Sequence, residues 1–270
     1  MHFPDFSHIF FAHALIMFHL NILTLCSVMN NSDDIFNHIT TVFIDIDDTL
    51  WWFTENSKVA FRHTYDKFEV STFEPSYERF HDIYLAENNR LWELYHHGKV
   101  EKDYLVNERF RYVLDAVGYQ GDCAGMAALM NEEYLRYLAT LPLSVPGAHA
   151  LCERLIARGW QVNALSNGFK GVQQRKLESA GLLRFLSHVV LSDDCGYTKP
   201  MRGIFDHALQ VTGADASQCL MIGDNPEADI QGAHEAGWHT IYFNLKNIPA
   251  IPGTADMEVA SLDEILPTVR

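Results

Sequence analysis

From residue 39 onward, short apolar runs alternate with longer stretches in which apolar side chains recur at helical spacing. Residues 39–46 (ITTVFIDI) form a brief β-branched run bounded by acids, the pattern of a strand buried on both faces. The same rhythm returns at Pro146-Gly147. It predicts helix 147–158, strand 160–165, helix 169–180, strand 188–191, helix 202–212, strand 219–222, helix 226–236 and strand 239–243. Gly159, Gly181, Gly213 and Gly237 stand where those helices stop. A last short strand around Val259 and a helix over 262–266 close the series. Strands alternating with helices predict an α/β fold, a doubly wound parallel sheet whose ligands sit at the carboxyl ends of the strands.

Between the first strand and the resumed rhythm the pattern changes. Residues 51–142 are rich in aromatic and charged side chains and show no strand-like run. Segments 76–97, 102–117 and 122–138 read as amphipathic helices separated by Gly98, Gly118 and Gly121, so the block reads as an all-helical insertion. The first 38 residues read as an N-terminal extension. Residues 9–28 are apolar over about a bilayer's length, but His13, His19 and Asn21 interrupt them and no Lys or Arg precedes Lys58. The basic flank of a signal peptide or anchor is therefore missing. The expectation is an upstream extension from a misplaced start, with Met29 as the natural beginning and a cytoplasmic enzyme following it.

Charge narrows the function classes. Twenty Lys+Arg against 35 Asp+Glu give a net charge of −15, a surface that repels a nucleic-acid backbone but not one phosphorylated small molecule in a local pocket. The five cysteines are odd in number and lack a CxxC spacing, so they read as reduced thiols. The adjacent His96 and His97 read as ordinary surface or core residues.

The strand ends carry the chemistry. Strand one runs into Asp45-Ile46-Asp47-Asp48-Thr49, and the strand at 160–165 into Ser166-Asn167-Gly168. Lys199 follows in the loop after 191, and strand 219–222 ends in Gly223-Asp224 with Asp229 five residues on. Each motif alone is weak; their order and their shared position at strand ends are specific. Together they resemble the haloacid dehalogenase-like superfamily, with its DxDxT, strand-end Ser/Thr, Lys and GDxxxxD motifs. The resemblance covers residues 39–243 and implies a helical C1 cap at 51–142 inserted into a catalytic core formed by 39–50 and 143–270.

That resemblance implies roles. Asp45 would be the nucleophile that takes the phosphoryl group, splitting one difficult displacement into two. Asp47 would be the general acid and then base, in a crowd of carboxylates that raises its pKa. Mg²⁺ would be held by the carboxylates of Asp45 and Asp224 and the main-chain carbonyl of Asp47, because it prefers hard oxygens. Thr49 and Asp229 would support that shell, Asp229 by orienting a metal-bound water or Lys199. Ser166, Asn167 and the turn's N–H groups would face the phosphoryl oxygens, with Lys199 adding positive charge. Asp48 would cap its turn. Because the superfamily's dehalogenases lack the second Asp, Asp47 favours phosphoryl transfer.

The helical block is similar to the cap of the housecleaning pyrimidine 5′-nucleotidases over Asn89–Val100 and at Arg109-Phe110, and 166–182 resembles the same branch. The function this implies is a pyrimidine nucleoside 5′-monophosphatase acting on a small phosphate monoester. Trp51, Trp52, Asn89, Trp92 and Tyr95 are the candidates for shaping its pocket. A sugar-phosphate or other small-metabolite phosphatase shares every core residue, and a non-enzymatic phosphate-binding or scaffold protein is the remaining class. The latter would be expected to lack Asp45 or Asp47.

Overall fold

The computed structural model describes residues 36–269. The apolar run at 9–28 and Cys26 lie outside the described residues. Six parallel strands form one sheet in the order β3-β2-β1-β4-β5-β6. They are β1 (Thr41–Ile44), β2 (Gln161–Ser166), β3 (His188–Leu191), β4 (Cys219–Gly223), β5 (His239–Phe243) and β6 (Met257–Val259). The α/β expectation is met. Strand β1 is shorter than the apolar run 39–46 suggests, because its pairing with both neighbours begins at Thr41 and the chain turns away after Ile44.

Side-chain alternation along the strands builds two apolar layers. Val42 and Ile44 of β1, Val162 and Ala164 of β2 and Leu220 and Ile222 of β4 face one side. There they meet α5 (Ala148–Ala157) through Leu151, Cys152 and Leu155, and α6 (Lys170–Ser179) through Leu177. Phe43, Leu165 and Met221 face the other side, against Ile204, Phe205 and Ala208 of α8 (Arg202–Thr212). A short helix, α7 (Ser192–Cys195), precedes α8. Burying strands on both faces is what lets them read as continuous apolar runs.

Four helices connect β1 to β2: α1 (Phe53–Lys67), α2 (Tyr77–His96), α3 (Lys102–Ala116) and α4 (Cys123–Leu138). The last three match the sequence expectation within a residue or two. Ser76 caps α2 by accepting from the Arg79 N–H at 3.2 Å, and Asp122 caps α4 by accepting from the Gly125 N–H at 3.0 Å. Helix α1 was not among the expected segments. Its start is set by Asp48, which lies in the left-handed region (φ 61°) and accepts from both the N–H and the hydroxyl of Thr54 at 2.7 Å. An aromatic cluster of Phe61, Phe80, Tyr84, Phe110 and Tyr134 fills the space between the four helices.

Two further expectations are corrected. Residues 226–236 begin as a π-helical turn (Pro226–Gln231) before a short α9 (Gly232–Glu235), because Asp229 turns inward onto the sheet end. The expected helix at 262–266 is a 3₁₀ turn, Leu262–Glu264. Cys123, Cys152, Cys195 and Cys219 are free thiols, and burial pushes Cys152 and Cys219 up to about 12. Among the described residues no helix is long and apolar enough to cross a membrane.

Candidate active site

Strand register brings the acids together. Ile44 pairs with Ile222 across β1 and β4, so Asp45 follows one strand where Gly223 and Asp224 follow the other. The two strands flank the point where the order reverses, the place where doubly wound sheets open a crevice. Gly223 is required there because a Cβ would stand 2.3 Å from the Asp229 carboxylate. Asp45, Asp224 and Asp229 each place a carboxylate oxygen within 4.8 Å of the others.

Two lysines hold this cluster. Lys199 Nζ, 2 % exposed, donates to Asp45 Oδ1 at 2.5 Å, Asp229 Oδ1 at 2.6 Å and the Leu165 carbonyl at 2.8 Å. Burial alone would lower its pKa, but Asp229 and Asp45 outweigh burial and raise it. Lys246, which no sequence motif marks, bridges Asp48 Oδ2 at 2.8 Å and Asp224 Oδ2 at 2.9 Å. Burial pushes Asp45 well above the carboxylate range, with Lys199 opposing and Asp229, Asp224 and Asp47 adding to the rise. Asp224 is pushed up to about 6 by burial, against the pull of Lys246. Thr49 is fully buried and its hydroxyl reaches Asp224 Oδ1 at 3.5 Å.

The neighbours of Asp47 differ from expectation. Its oxygens are engaged by a cation and an amide rather than by other carboxylates: Lys176 Nζ donates to Oδ1 at 2.7 Å and Gln173 Nε2 to Oδ2 at 2.8 Å. Both donors project from α6, and Lys176 lies 4.7 Å from the Trp51 ring centre. Ser166 lines the cleft. Its hydroxyl accepts from the Gly168 N–H at 3.1 Å and from Gln173 Nε2 at 2.8 Å, so that N–H is turned inward. Gly168 has no room for a Cβ, which would overlap Gln173. Asn167 clamps the backbone of Lys199, accepting from its N–H at 2.7 Å and donating to its carbonyl at 2.9 Å.

A cleft of about 440 Å³ lies between these strand ends and the helical insertion. Its floor includes Asp45, Asp47, Asp224 and Lys199, and its helical wall includes Asn88, Asn89, Trp92, His96 and Arg109. Of the expected pocket-shaping residues, Asn89 and Trp92 line it, and Trp92 stacks on Phe169 of the core at 5.5 Å. Trp51, Trp52 and Tyr95 do not. Trp51 is fully buried and spends its indole N–H on the Leu141 carbonyl at 2.9 Å; Tyr95 packs edge-on against Trp92. His96 and His97, set aside from the sequence, both line the cleft. Burial, with Lys199 adding, lowers His96 to about 4, so its imidazole is neutral near pH 7.

The donor set suits a small hard cation. Asp45, Asp224 and Asp229 bring carboxylate oxygens within 4.8 Å of one another, and burial and like charge push the first two up. A divalent cation among them would offset that repulsion, and all the donors are oxygens.

The family model described as haloacid dehalogenase-like hydrolase matches residues 39–237. The chain belongs to this hydrolase family. Two curated relatives are pyrimidine 5′-nucleotidases. YjjG of Escherichia coli (strain K12) is 31% identical over 83% of this chain and 95% of its own length. PynA of Streptococcus pneumoniae is 30% identical over 75% and 83%. Among solved structures, the HAD-hydrolase YfnB of Bacillus subtilis, described as bound to magnesium, aligns with a TM-score of 0.76 and 27% identity. That alignment covers 86% of this chain and 99% of that one.

Proposed function

We propose that the chain is a Mg²⁺-dependent phosphomonoester hydrolase that works through a phosphorylated Asp45, with pyrimidine nucleoside 5′-monophosphates as its substrates. The observation that carries the reading is the pairing of two carboxylates in one cleft with opposite surroundings. Asp45 is buried among acids and gripped through one oxygen by Lys199, whereas Asp47 is held by Lys176 and Gln173.

In this reading Asp45 Oδ2 attacks phosphorus while Lys199 fixes Oδ1, forming the acyl phosphate as the bond to the leaving oxygen breaks. Asp47 gives a proton to that oxygen, then takes one from the water that hydrolyses the acyl phosphate. Gln173 and Lys176 orient Asp47 for both steps, and Ser166 supports Gln173 from behind. Asn167 sets the height of Lys199 through its backbone. Mg²⁺ would be held by the carboxylates of Asp45 and Asp224 and the main-chain carbonyl of Asp47, with Thr49 steadying Asp224 and Asp229 steadying Lys199. Its charge would allow a phosphate dianion to approach the acidic floor.

The pyrimidine assignment is supported by the two nucleotidase relatives and by a cleft whose volume falls in the range for small-molecule sites. A phosphate-release screen with Mg²⁺ tests it across dUMP, dTMP and UMP, purine nucleotides and sugar phosphates. The highest kcat/KM is expected on the pyrimidines; equal or reversed ratios would defeat the assignment and leave the hydrolase family standing.

A further inference from the structure

The helical insertion holds a buried cation that the phosphoryl chemistry does not use. Arg109, on α3, is 3 % exposed and lines the cleft. Its Nε donates to Asn131 Oδ1 on α4 at 2.9 Å, its Nη2 donates to the same oxygen, and Nη1 reaches Asn88 Oδ1 on α2 at 3.5 Å. The Tyr134 ring centre lies 5.6 Å from the guanidinium carbon. Every one of these partners is neutral. Among the described residues no carboxylate forms an ion pair with Arg109. The acids beside its partners face elsewhere, Glu87 onto Arg90 and Glu133 onto Lys67 and Arg136.

A guanidinium buried without a counter-charge is costly to fold around, and packed apolar side chains would fill the same space more cheaply. Its fork has five N–H groups, so donors remain beyond those spent on the two amides. Asn88, which also lines the cleft, commits its oxygen to Arg109, and what its side chain has left to offer is N–H. Around Arg109 the wall is therefore rich in donors and locally positive, opposite a floor that takes the phosphoryl group. It suits an acceptor-only edge, an oxo oxygen, and disfavours an exocyclic amino group.

We infer that Arg109 is the specificity-determining residue of the cleft and binds an sp² oxygen of the leaving group. The identification of that oxygen as a pyrimidine carbonyl rests on the nucleotidase reading above; a carboxylate on a small phosphorylated acid offers the same chemistry.

The test measures kcat/KM on dUMP, on 2-deoxyribose 5-phosphate, which lacks the base, and on phosphoglycolate, which carries a carboxylate. Wild type is compared with Arg109→Gln and Asn131→Asp. The second variant keeps the shape of the site but gives Arg109 an internal counter-charge, so it should fold at least as well while silencing the cation. Both variants are expected to lose roughly 30-fold or more on dUMP, chiefly through KM, and about threefold or less on 2-deoxyribose 5-phosphate. If wild type prefers phosphoglycolate and the variants lose that preference instead, Arg109 keeps its role and the pyrimidine assignment falls. A folded Asn131→Asp protein whose ratios among the three substrates match wild type would overturn the inference, as would a uniform loss on all three.

Discussion

Replacing Asp45 with Asn is expected to raise the melting temperature of the metal-free protein and to abolish turnover in the presence of Mg²⁺. Asp45 is 7 % exposed, and its oxygens lie within 4.8 Å of those of Asp224 and Asp229. At an effective dielectric constant of about 20, each repulsion is worth ~3.5 kcal/mol, ~7 for the pair. Lys199 at 2.5 Å returns roughly 7 kcal/mol on the same scale. The Coulomb contributions nearly cancel, and what remains is the cost of keeping a carboxylate out of water, several kcal/mol per ion. Asparagine keeps the shape and an acceptor for Lys199, which retains Asp229, but loses the charge-assisted part of one hydrogen bond, about 1–2 kcal/mol. The net gain is about 2 kcal/mol, or roughly 4–8 °C for a chain of this size. Calorimetry of both proteins in EDTA near neutral pH measures it, and adding Mg²⁺ should then stabilise wild type more than the variant. A variant melting at or below wild type in EDTA would refute the reasoning, because Asp45 would then be a net structural support.

Lys176→Met leaves Asp47 without its cation. Because the Asp47 side chain is 32% exposed, the loss in stability is discounted to about 1–2 kcal/mol. With Gln173 alone left to hold the carboxylate, kcat should fall about tenfold to a hundredfold at nearly constant KM; an unchanged kcat would remove the orienting role of Lys176. Asp224→Asn should flatten a pH dependence. The folded-state pKa of Asp224 is raised to about 6, so the stability it contributes is complete below the ordinary carboxylate range and is lost as pH climbs through about 6. Thermal unfolding in EDTA at stepped pH should show wild type losing stability relative to the variant across that window, and parallel curves would contradict it.

The core was legible because chemistry and topology coincide there. A strand end is marked by an apolar run breaking into Asp45-Ile46-Asp47, and parallel pairing then sets that end beside Gly223-Asp224. Lys199 was legible for the same reason, following a strand in a loop that returns to the sheet end. Three kinds of residue were not. Lys246 follows β5 in a loop with no pattern of its own, and only the fold brings it to Asp48 and Asp224. Lys176 and Gln173 read as the polar face of a helix until α6 aims them at Asp47. The wall of the cleft depends on how four helices pack. Helical spacing alone does not say that Arg109 and His96 face the cleft while Trp51 is sealed at its edge. Helix α1 carries no cap signal of its own: Trp52 stands at its N-cap without a side-chain bond, and the acceptor for the Thr54 N–H is Asp48, six residues earlier and already engaged in the motif.

The central claim is that Asp45 carries the phosphoryl group, and trapping it there is the most direct test. Wild-type protein should be mixed with dUMP and Mg²⁺, quenched in acid within a single turnover, and its peptides examined by mass spectrometry. A phosphoryl adduct is expected on the peptide bearing Asp45 and nowhere else, and it should be absent from Asp45→Asn protein. Phosphate release without any such adduct, together with a wild-type rate in Asp45→Asn, would contradict the account.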